Sequence, residues 1–466
     1  SDKAFLSYFG RLNYDCKSRY FLTINFRRDG NSSLGFDKKW GNFGGVSAGW
    51  TLSEEEFFKS LSVANTITSL KLRGSWGRVG NGNLSPYASL DLYSAGLYGA
   101  SPTLAINQAG NPNLGWETGD QTNIGFDLGL LNDRLQVDFS YFNNNVNGLI
   151  LSVPQAASKG IPGNSIVGNV GSLYNRGIEI AISGEVIRKA KFSWNASVNF
   201  TNVKNEVTAL ASEGARIVSN SSGNPFNMTQ VGYSVGTLFG AVTNGVNPVN
   251  GRRIYINREG REVQYSLVVG PGEFQWSYLD GSRAAAITAA DYQPLGNALP
   301  KWYGGFNNTF KYGNFDFAIN FAFSGGNYVL NGNTGTWLDQ RYFNNSTKVL
   351  DRWQEAGDIT DVPRLVYGDN FASANIPNIS AYVEKGDFLR LQNLMAGYKL
   401  PSALLSKASL TSARVYVQAT NVFLFTKYTG VEPESSINGN RNTSPGIEYN
   451  SLGNGRTITV GVNLGL

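Results

Sequence analysis

The chain of 466 residues contains no histidine and a single cysteine, Cys16. Without histidine it lacks the commonest general base and the usual zinc ligand, and one cysteine cannot form an intrachain disulfide. Chemistry by carboxylates alone stays open, but we predict that the chain is not an enzyme and binds no metal or cofactor. No stretch approaches the roughly 20 apolar residues of a membrane-spanning helix. No basic run indicates nucleic acid as a partner.

An alternating pattern is present instead, most clearly in the last segment, 456–466. Its apolar positions are Ile458, Val460, Val462, Leu464 and Leu466, and the positions between them are small or polar. Because strand side chains alternate between two faces, such a strand has one apolar and one polar face. The pattern recurs along the chain, as in Phe315, Phe317, Ile319, Phe321 and Phe323. Repetition of this pattern is typical of a transmembrane antiparallel β-barrel.

About thirteen such strands are predicted, and short connections between them alternate with long ones. The long connections are residues 81–118, 146–172, 202–300, 325–386 and 426–455. In outer-membrane barrels the short turns are periplasmic and the long loops extracellular. Region 202–300 is too long to lack structure, so we expect hairpins there, at Arg253–Ile256 and Phe274–Tyr278. An odd strand count and unpaired sheet edges do not suit lipid, which predicts the C-terminal part of a larger barrel.

Two groups of residues are candidates for function. The polar strand faces carry Arg11, Arg27, Arg73 and Asp138, which we predict to face the lumen. They could contact a plug or a substrate path, but we favour a solvated or salt-bridged wall. Aromatic residues in the long loops could stack on sugars or anchor peptides, with packing between loops as the alternative. These substrate-binding candidates are Trp116, Trp276, Tyr278, Trp337, Tyr342, Trp353 and Tyr367.

Other features have simpler interpretations. Trp40, Trp50, Trp194 and Trp302 are expected at the membrane interface or in packing. The glycine series Gly74-x-x-Gly77-x-x-Gly80 indicates a strand interior and not a phosphate loop, because no Lys-Ser/Thr pair follows it. Asp358 and Asp361 could help hold a cation, but two carboxylates do not make a calcium site.

Seven segments resemble the SusC/RagA-type TonB-dependent outer-membrane transporters. They are Leu6–Gly30, Trp40–Glu55, Leu70–Asn81, Asn111–Asp127, Asp361–Leu365, Asp387–Pro401 and Arg456–Leu466, in family order over the whole chain. The resemblance implies a plugged barrel of about 22 strands in the cell outer membrane. This chain would hold roughly the last thirteen of them. The plug domain and the first strands would be absent from residues 1–466.

The same resemblance implies active import of a nutrient, a glycan or a peptide. It implies as partners a SusD-like surface lipoprotein lid, the TonB complex through the missing N-terminal part, the N-terminal barrel and plug portion, and outer-membrane lipid. A passive porin-like or autotransporter-like barrel is the alternative function, and a soluble carbohydrate-binding or hydrolytic β-protein a weaker one. The family's Asp-rich turn is reduced here to Asp280 and Asp291, so no calcium site is predicted.

Overall fold

The computed structural model describes residues 2–221, 224–339, 344–365, 367–368, 376–405, 410–439 and 441–465. Strands dominate, and no helix among these residues is both long and apolar enough to cross a membrane. The three short helices are α1 (Glu56–Lys59), α2 (Gly332–Trp337) and α3 (Ser402–Leu405).

The described residues contain 28 strands. The first twelve are β1 (Phe5–Cys16), β2 (Tyr20–Asn31), β3 (Trp40–Thr51), β4 (Ile67–Asn81), β5 (Leu92–Tyr98), β6 (Ser101–Gln108), β7 (Glu117–Leu130), β8 (Leu135–Asn147), β9 (Ile150–Pro154), β10 (Ser165–Asn169), β11 (Ser172–Arg188) and β12 (Phe192–Ala209). Eight short strands follow: β13 (Arg216–Ser221), β14 (Asn224–Gln230), β15 (Thr237–Gly240), β16 (Val242–Val246), β17 (Arg253–Ile256), β18 (Glu262–Tyr265), β19 (Trp276–Tyr278) and β20 (Gln293–Gly296). The last are β21 (Trp302–Tyr312), β22 (Phe315–Gly325), β23 (Tyr328–Asn331), β24 (Val383–Lys385), β25 (Phe388–Lys399), β26 (Ser412–Thr426), β27 (Ile447–Glu448) and β28 (Thr457–Gly465).

The first compact unit comprises Ser1–Ala215 and Gly304–Ala318. Its long strands β1, β2, β3, β4, β7, β8, β11 and β12 pair antiparallel, each with the next. Tight turns join β1 to β2, β7 to β8 and β11 to β12. In the first of them Lys17 and Ser18 have φ angles of 56° and 55°, which suit the right-handed twist of a hairpin. The connections β2–β3, β4–β7 and β8–β11 leave from the opposite end of these strands, whereas the β3–β4 connection, residues 52–66 with α1, lies at the same end as the tight turns.

The pairing places apolar residues on one face of this sheet and small or polar residues on the other. On the apolar face, called the outward face below, one row crosses β1, β2, β3, β4, β7 and β8 and consists of Tyr14, Leu22, Ala48, Gly74, Ile124 and Tyr141. Many of these apolar side chains are exposed in the described chain, including Tyr14 at 55% and Ile124 at 58%. The two-faced sheet expected from the alternation is therefore confirmed.

The second unit comprises Arg216–Tyr303 and Ile319–Leu466. It contains β25, β26 and β28 in antiparallel succession, and the hairpin β21–β22 is divided between the two units. With the eight strands of the first unit, these account for the thirteen strands expected of the large sheet. Two four-stranded sheets, β13-β14-β15-β20 and β16-β17-β18-β19, and a three-stranded sheet, β24-β23-β27, form the rest of the unit's strand structure.

The excursions contain more structure than the sequence pattern indicated. Both expected hairpin positions lie in one sheet, because Arg253–Ile256 is β17 and Phe274–Tyr278 contains β19. The loops 81–118 and 146–172 each hold a two-stranded sheet, β5–β6 and β9–β10. The start of the loop at residue 202 was wrong, since 202–209 continue β12 in pairing with β11. Lys204 and Glu206 interrupt the outward apolar pattern there while the backbone ladder goes on.

Candidate substrate-binding surfaces

A groove lies on the polar face of β1 to β4 and β7 in the first unit. Cross-strand pairing puts Asn25, Gly45, Gly77 and Gln121 in one row. The next row consists of Thr23, Ser47, Ser75 and Asn123. The two glycines and the flanking amides line part of a cavity of about 710 Å³ on this face. Strand glycines of this kind mark places where another molecule can approach the backbone closely.

Charged and aromatic side chains close one end of this groove. Arg27 donates from Nε to Oδ1 of the buried Asp29 at 2.6 Å and from Nη2 to the Ser7 hydroxyl at 3.2 Å. Trp116 packs edge-on against Phe43 at a ring distance of 5.2 Å. The predicted polar-face Arg27 and the loop candidate Trp116 thus line the same groove.

Two further contacts hold Trp116 in place. Its indole Nε1 donates to the backbone carbonyl of Lys39 at 3.1 Å, and its ring meets Phe5 at 6.1 Å. These contacts tie the long β4–β7 connection to the β2–β3 turn. Trp116 therefore presents only part of its surface to the groove.

Arg73 forms a charged network farther along the same face. Its Nε donates to Asp127 Oδ1 at 2.9 Å, and its Nη2 donates to both oxygens of Asp138 at 2.9 Å. Nη2 also donates to the hydroxyl of the buried Ser140 at 2.7 Å. Arg73 and Asp138, singled out separately from sequence, are partners in a salt-bridged wall. Asp127 was missed, although its pairing opposite Asp138 is what completes the network.

Arg11 lies apart from this network. It is exposed, and its Nε donates to Asn13 Oδ1 at 3.0 Å on the same strand. Of the four charged residues singled out on the polar face, only Arg73 and Asp138 contact one another.

The second unit contains a cavity of about 670 Å³ among its loops. Its charged lining residues are Arg253, Lys348, Asp351, Asp361 and Glu384. Arg253 is 1% exposed and donates from Nη2 to the backbone carbonyl of Asp361 at 3.0 Å. Lys348 donates to the Thr429 hydroxyl at 3.0 Å, which in turn donates to Glu384 at 2.7 Å. The cavity therefore offers groups of both charges and several hydroxyls.

Tyr382 forms part of the cavity wall and is 1% exposed. Burial raises the pKa of its phenol to about 12, so this side chain stays neutral in the physiological pH range. Neutral hydroxyls can both donate and accept hydrogen bonds.

The predicted loop aromatics do not line this cavity in the part of the chain that is described. Trp276 packs against Tyr255 and Tyr265 at ring distances of 5.4 and 5.1 Å. The Tyr278 ring carries the guanidinium of Arg261 at 3.6 Å. The contacts of Trp276 agree with the alternative interpretation, in which it packs between loops.

The remaining aromatic candidates are dispersed. Trp353 donates from Nε1 to the Pro248 carbonyl at 3.0 Å, Trp337 ends α2 and is half-buried, and Tyr367 is 99% exposed. Tyr342 lies outside the described residues. No single cluster of these aromatics forms among the residues described.

Two carboxylates in the loops stabilise turns by accepting hydrogen bonds. Asp280 accepts from the Ser282 hydroxyl at 2.6 Å and its N–H at 2.9 Å, and these bonds lower the pKa of Asp280. Asp358 accepts from the backbone N–H groups of Gln354 and Glu355, which lower its pKa likewise. The described residues contain no group of three or more Cys, Asp or Glu side chains placed to hold a metal ion.

Comparisons with known proteins agree with this architecture. The family model described as "TonB dependent receptor-like, beta-barrel" matches residues 2–422. The TonB-dependent receptor P3 of Formosa agariphila is 32% identical over 472 residues, covering 98% of this chain and 45% of the relative. The TonB-dependent receptor SusC of Bacteroides thetaiotaomicron is 27% identical over 488 residues, covering 98% and 43%.

A solved structure shares the fold. The RagAB peptide transporter structure superposes with a TM-score of 0.80 at 23% identity, covering 99% of this chain and 48% of that one. The chain spans about half the length of the relatives it matches. It belongs to the TonB-dependent receptor-like β-barrel family, with SusC/RagA-type relatives, and is a protein of the outer membrane.

Proposed function

We propose that this chain forms part of the barrel wall and the extracellular loops of an importer that is energised through TonB. The observation that carries the proposal is the groove on the polar face, a cavity lined by glycines and by amide, hydroxyl and charged side chains. A wall that only excluded water would not need such a hollow. Transport moves a molecule without covalent chemistry, so no residue is assigned a catalytic role.

The proposed cargo is a glycan or a peptide. Amides and hydroxyls in the groove, such as Asn25, Ser47 and Gln121, have donors and acceptors that suit sugar hydroxyls and peptide groups alike. The loop cavity adds Lys348 and Asp361, which suit the charged groups of a peptide or an acidic sugar. The exposed Tyr367 could contact cargo from the loops.

The partners follow from the proposed importer. We infer a SusD-like surface lipoprotein that closes over the loops, and the TonB complex, which would act through a plug domain and N-terminal segment outside residues 1–466. A polypeptide that supplies further barrel strands is part of the same proposal. Lipid would contact the outward apolar rows.

Uptake measurements test this proposal. Cells that produce the intact protein should accumulate labelled cargo only with TonB and a proton-motive force, and an uncoupler should abolish accumulation. Uptake that continues unchanged with the uncoupler would refute active import and favour the passive porin-like alternative.

A pair of glycine variants tests the groove. A Cβ at Gly77 meets nothing closer than 3.5 Å, and one at Gly74 meets nothing within 4 Å, so both sites accept a side chain. Gly77→Leu fills the groove and should lower uptake at least tenfold at equal surface expression. Gly74→Leu, on the outward face of the same strand, should leave uptake unchanged. Equal uptake in both variants would exclude the groove from the cargo path.

A further inference from the structure

The outward face of β3 carries a tryptophan near each end, Trp40 and Trp50. Ten residues of strand span about 33 Å, and a tilt of 35–45° reduces this to about 25 Å along the membrane normal. That height equals the apolar band of outer-membrane barrels. Between the two indoles the same face presents apolar side chains such as Val46 and, on β2, Ile24 and Phe26. Trp40 therefore lies at the edge of the lipid-facing band, on the side of the long connections.

Cations cluster at this edge. The Arg28 guanidinium lies 5.5 Å from the Trp40 ring, and the Tyr8 ring stacks with the Trp40 ring at a distance of 6.1 Å. In the adjoining turn the Lys39 ammonium lies 5.2 Å from the ring of Phe36, which is 82% exposed. Lys38 is exposed beside it. We call these residues, Tyr8, Arg28, Phe36, Lys38, Lys39 and Trp40, the Trp40 cluster.

At other strand ends the basic side chains form ion pairs with acidic ones, but those of the Trp40 cluster do not. Arg78 pairs with Asp120 at 2.7 Å and Lys204 with Glu206 at 2.7 Å. By contrast, no carboxylate in the described chain lies within ion-pair distance of Arg28, Lys38 or Lys39. Asp37 is the one acidic residue within the turn sequence 36–39. Arg28 lies on the outward face with Trp40 and Tyr8, and Lys38 and Lys39 add positive charge in the adjoining turn. This end of β2 and β3 therefore carries an excess of positive charge at headgroup level.

We propose that the Trp40 cluster binds the phosphate group of a glycolipid headgroup in the outer leaflet. A guanidinium matches phosphate geometry bidentately, and ammonium groups add point charges. Indole and phenol rings prefer the interface, with an apolar body against acyl chains and a polar edge toward water. Continuity with the apolar rows selects a lipid over a free anion, because the acyl chains of a headgroup bound here would lie along Phe26 and Ile24.

Binding to lipid of defined composition tests the proposal. The intact protein, purified from membranes into neutral-lipid nanodiscs, would be titrated with lipid A and, separately, with dephosphorylated lipid A. Native mass spectrometry would count the bound molecules. Each cation near an anionic headgroup contributes about 1 kcal/mol, or about fivefold in affinity. Arg28→Gln should thus weaken lipid A binding about fivefold, and Arg28→Gln/Lys38→Gln/Lys39→Gln about a hundredfold.

The matched control is Arg11→Gln, which removes the same charge from the opposite face of the β1–β2 hairpin. It should leave lipid A binding unchanged, and Arg28→Lys should retain part of it. Far-UV circular dichroism would verify that each variant keeps its strand content. Binding of dephosphorylated lipid A equal to that of lipid A would overturn the proposal. So would inorganic phosphate displacing lipid A at equal concentration, or a triple variant that binds like the unaltered protein.

Discussion

The ion pair between Arg390 and Glu432 should hold the loop after β26 in place. Arg390, at the start of β25, donates from Nη2 to Glu432 at 2.5 Å and to Glu434 at 2.7 Å. The side chains of Arg390 and Glu432 are 6% and 4% exposed, whereas that of Glu434 is 46% exposed. One guanidinium group thus has a buried and a half-exposed partner, which provides an internal comparison.

Glu432→Gln leaves the buried guanidinium without its principal counter-charge. Removing one partner of a buried pair costs about 3–5 kcal/mol, which corresponds to a rise of roughly a hundredfold to a few thousandfold in local opening. Glu434→Gln should cost about 0–1 kcal/mol, since a solvent-exposed pair is screened. Replacing both buried partners, Arg390→Met with Glu432→Leu, should restore most of the stability, because no lone charge remains buried.

Hydrogen exchange measured by mass spectrometry on the protein in nanodiscs is the appropriate assay. Amides of residues 427–439 should exchange faster in Glu432→Gln by the factor given above, while amides in the middle of β25 keep their protection. Equal acceleration in the Glu432 and Glu434 variants would refute the argument from burial. A double apolar variant as unstable as Glu432→Gln would show that packing, and not the unpaired charge, causes the loss.

Three further predictions concern single polar groups. Tyr20 Oη and Trp50 Nε1 donate to Glu55 at 2.5 and 3.0 Å, and these bonds lower the pKa of Glu55. The stability that ionised Glu55 contributes is fully present above the unfolded pKa of about 4.3. It is lost as pH falls from there through the lowered pKa of the folded state. The protection factors of amides 52–66, which are exchange rates corrected for the intrinsic rate at each pH, should therefore fall in acid. Glu55→Gln should abolish that pH dependence, and a pH-dependent protection factor that survives in the variant contradicts the assignment. The fully buried Tyr255 hydroxyl has no hydrogen-bond partner among the described residues, so Tyr255→Phe should raise the melting temperature or leave it unchanged. Tyr428→Phe removes a 2.8 Å bond to the buried Glu448 and should destabilise by about 1–3 kcal/mol; the reverse order of melting temperatures would contradict both expectations.

The amino-acid sequence alone determined where the long strands lie. In β22 and β28 large apolar side chains occupy every second position, because one face of each strand contacts lipid and the other face belongs to the polar side of the sheet. That signal is local, so it survives without knowledge of any partner strand. It failed at 202–209, where the backbone remains paired but Lys204 and Glu206 replace apolar residues on the outward face.

Only the tertiary structure decided which side chains meet. Arg73, Asp127 and Asp138 come from three strands, and their network depends on a register that no short pattern encodes. Likewise Trp276, a plausible binding residue by composition, is committed to packing by Tyr255 and Tyr265. Period-two alternation follows from the geometry of one strand, whereas contacts across strands and loops depend on the free energy of the whole chain, to which residues far apart in sequence contribute together.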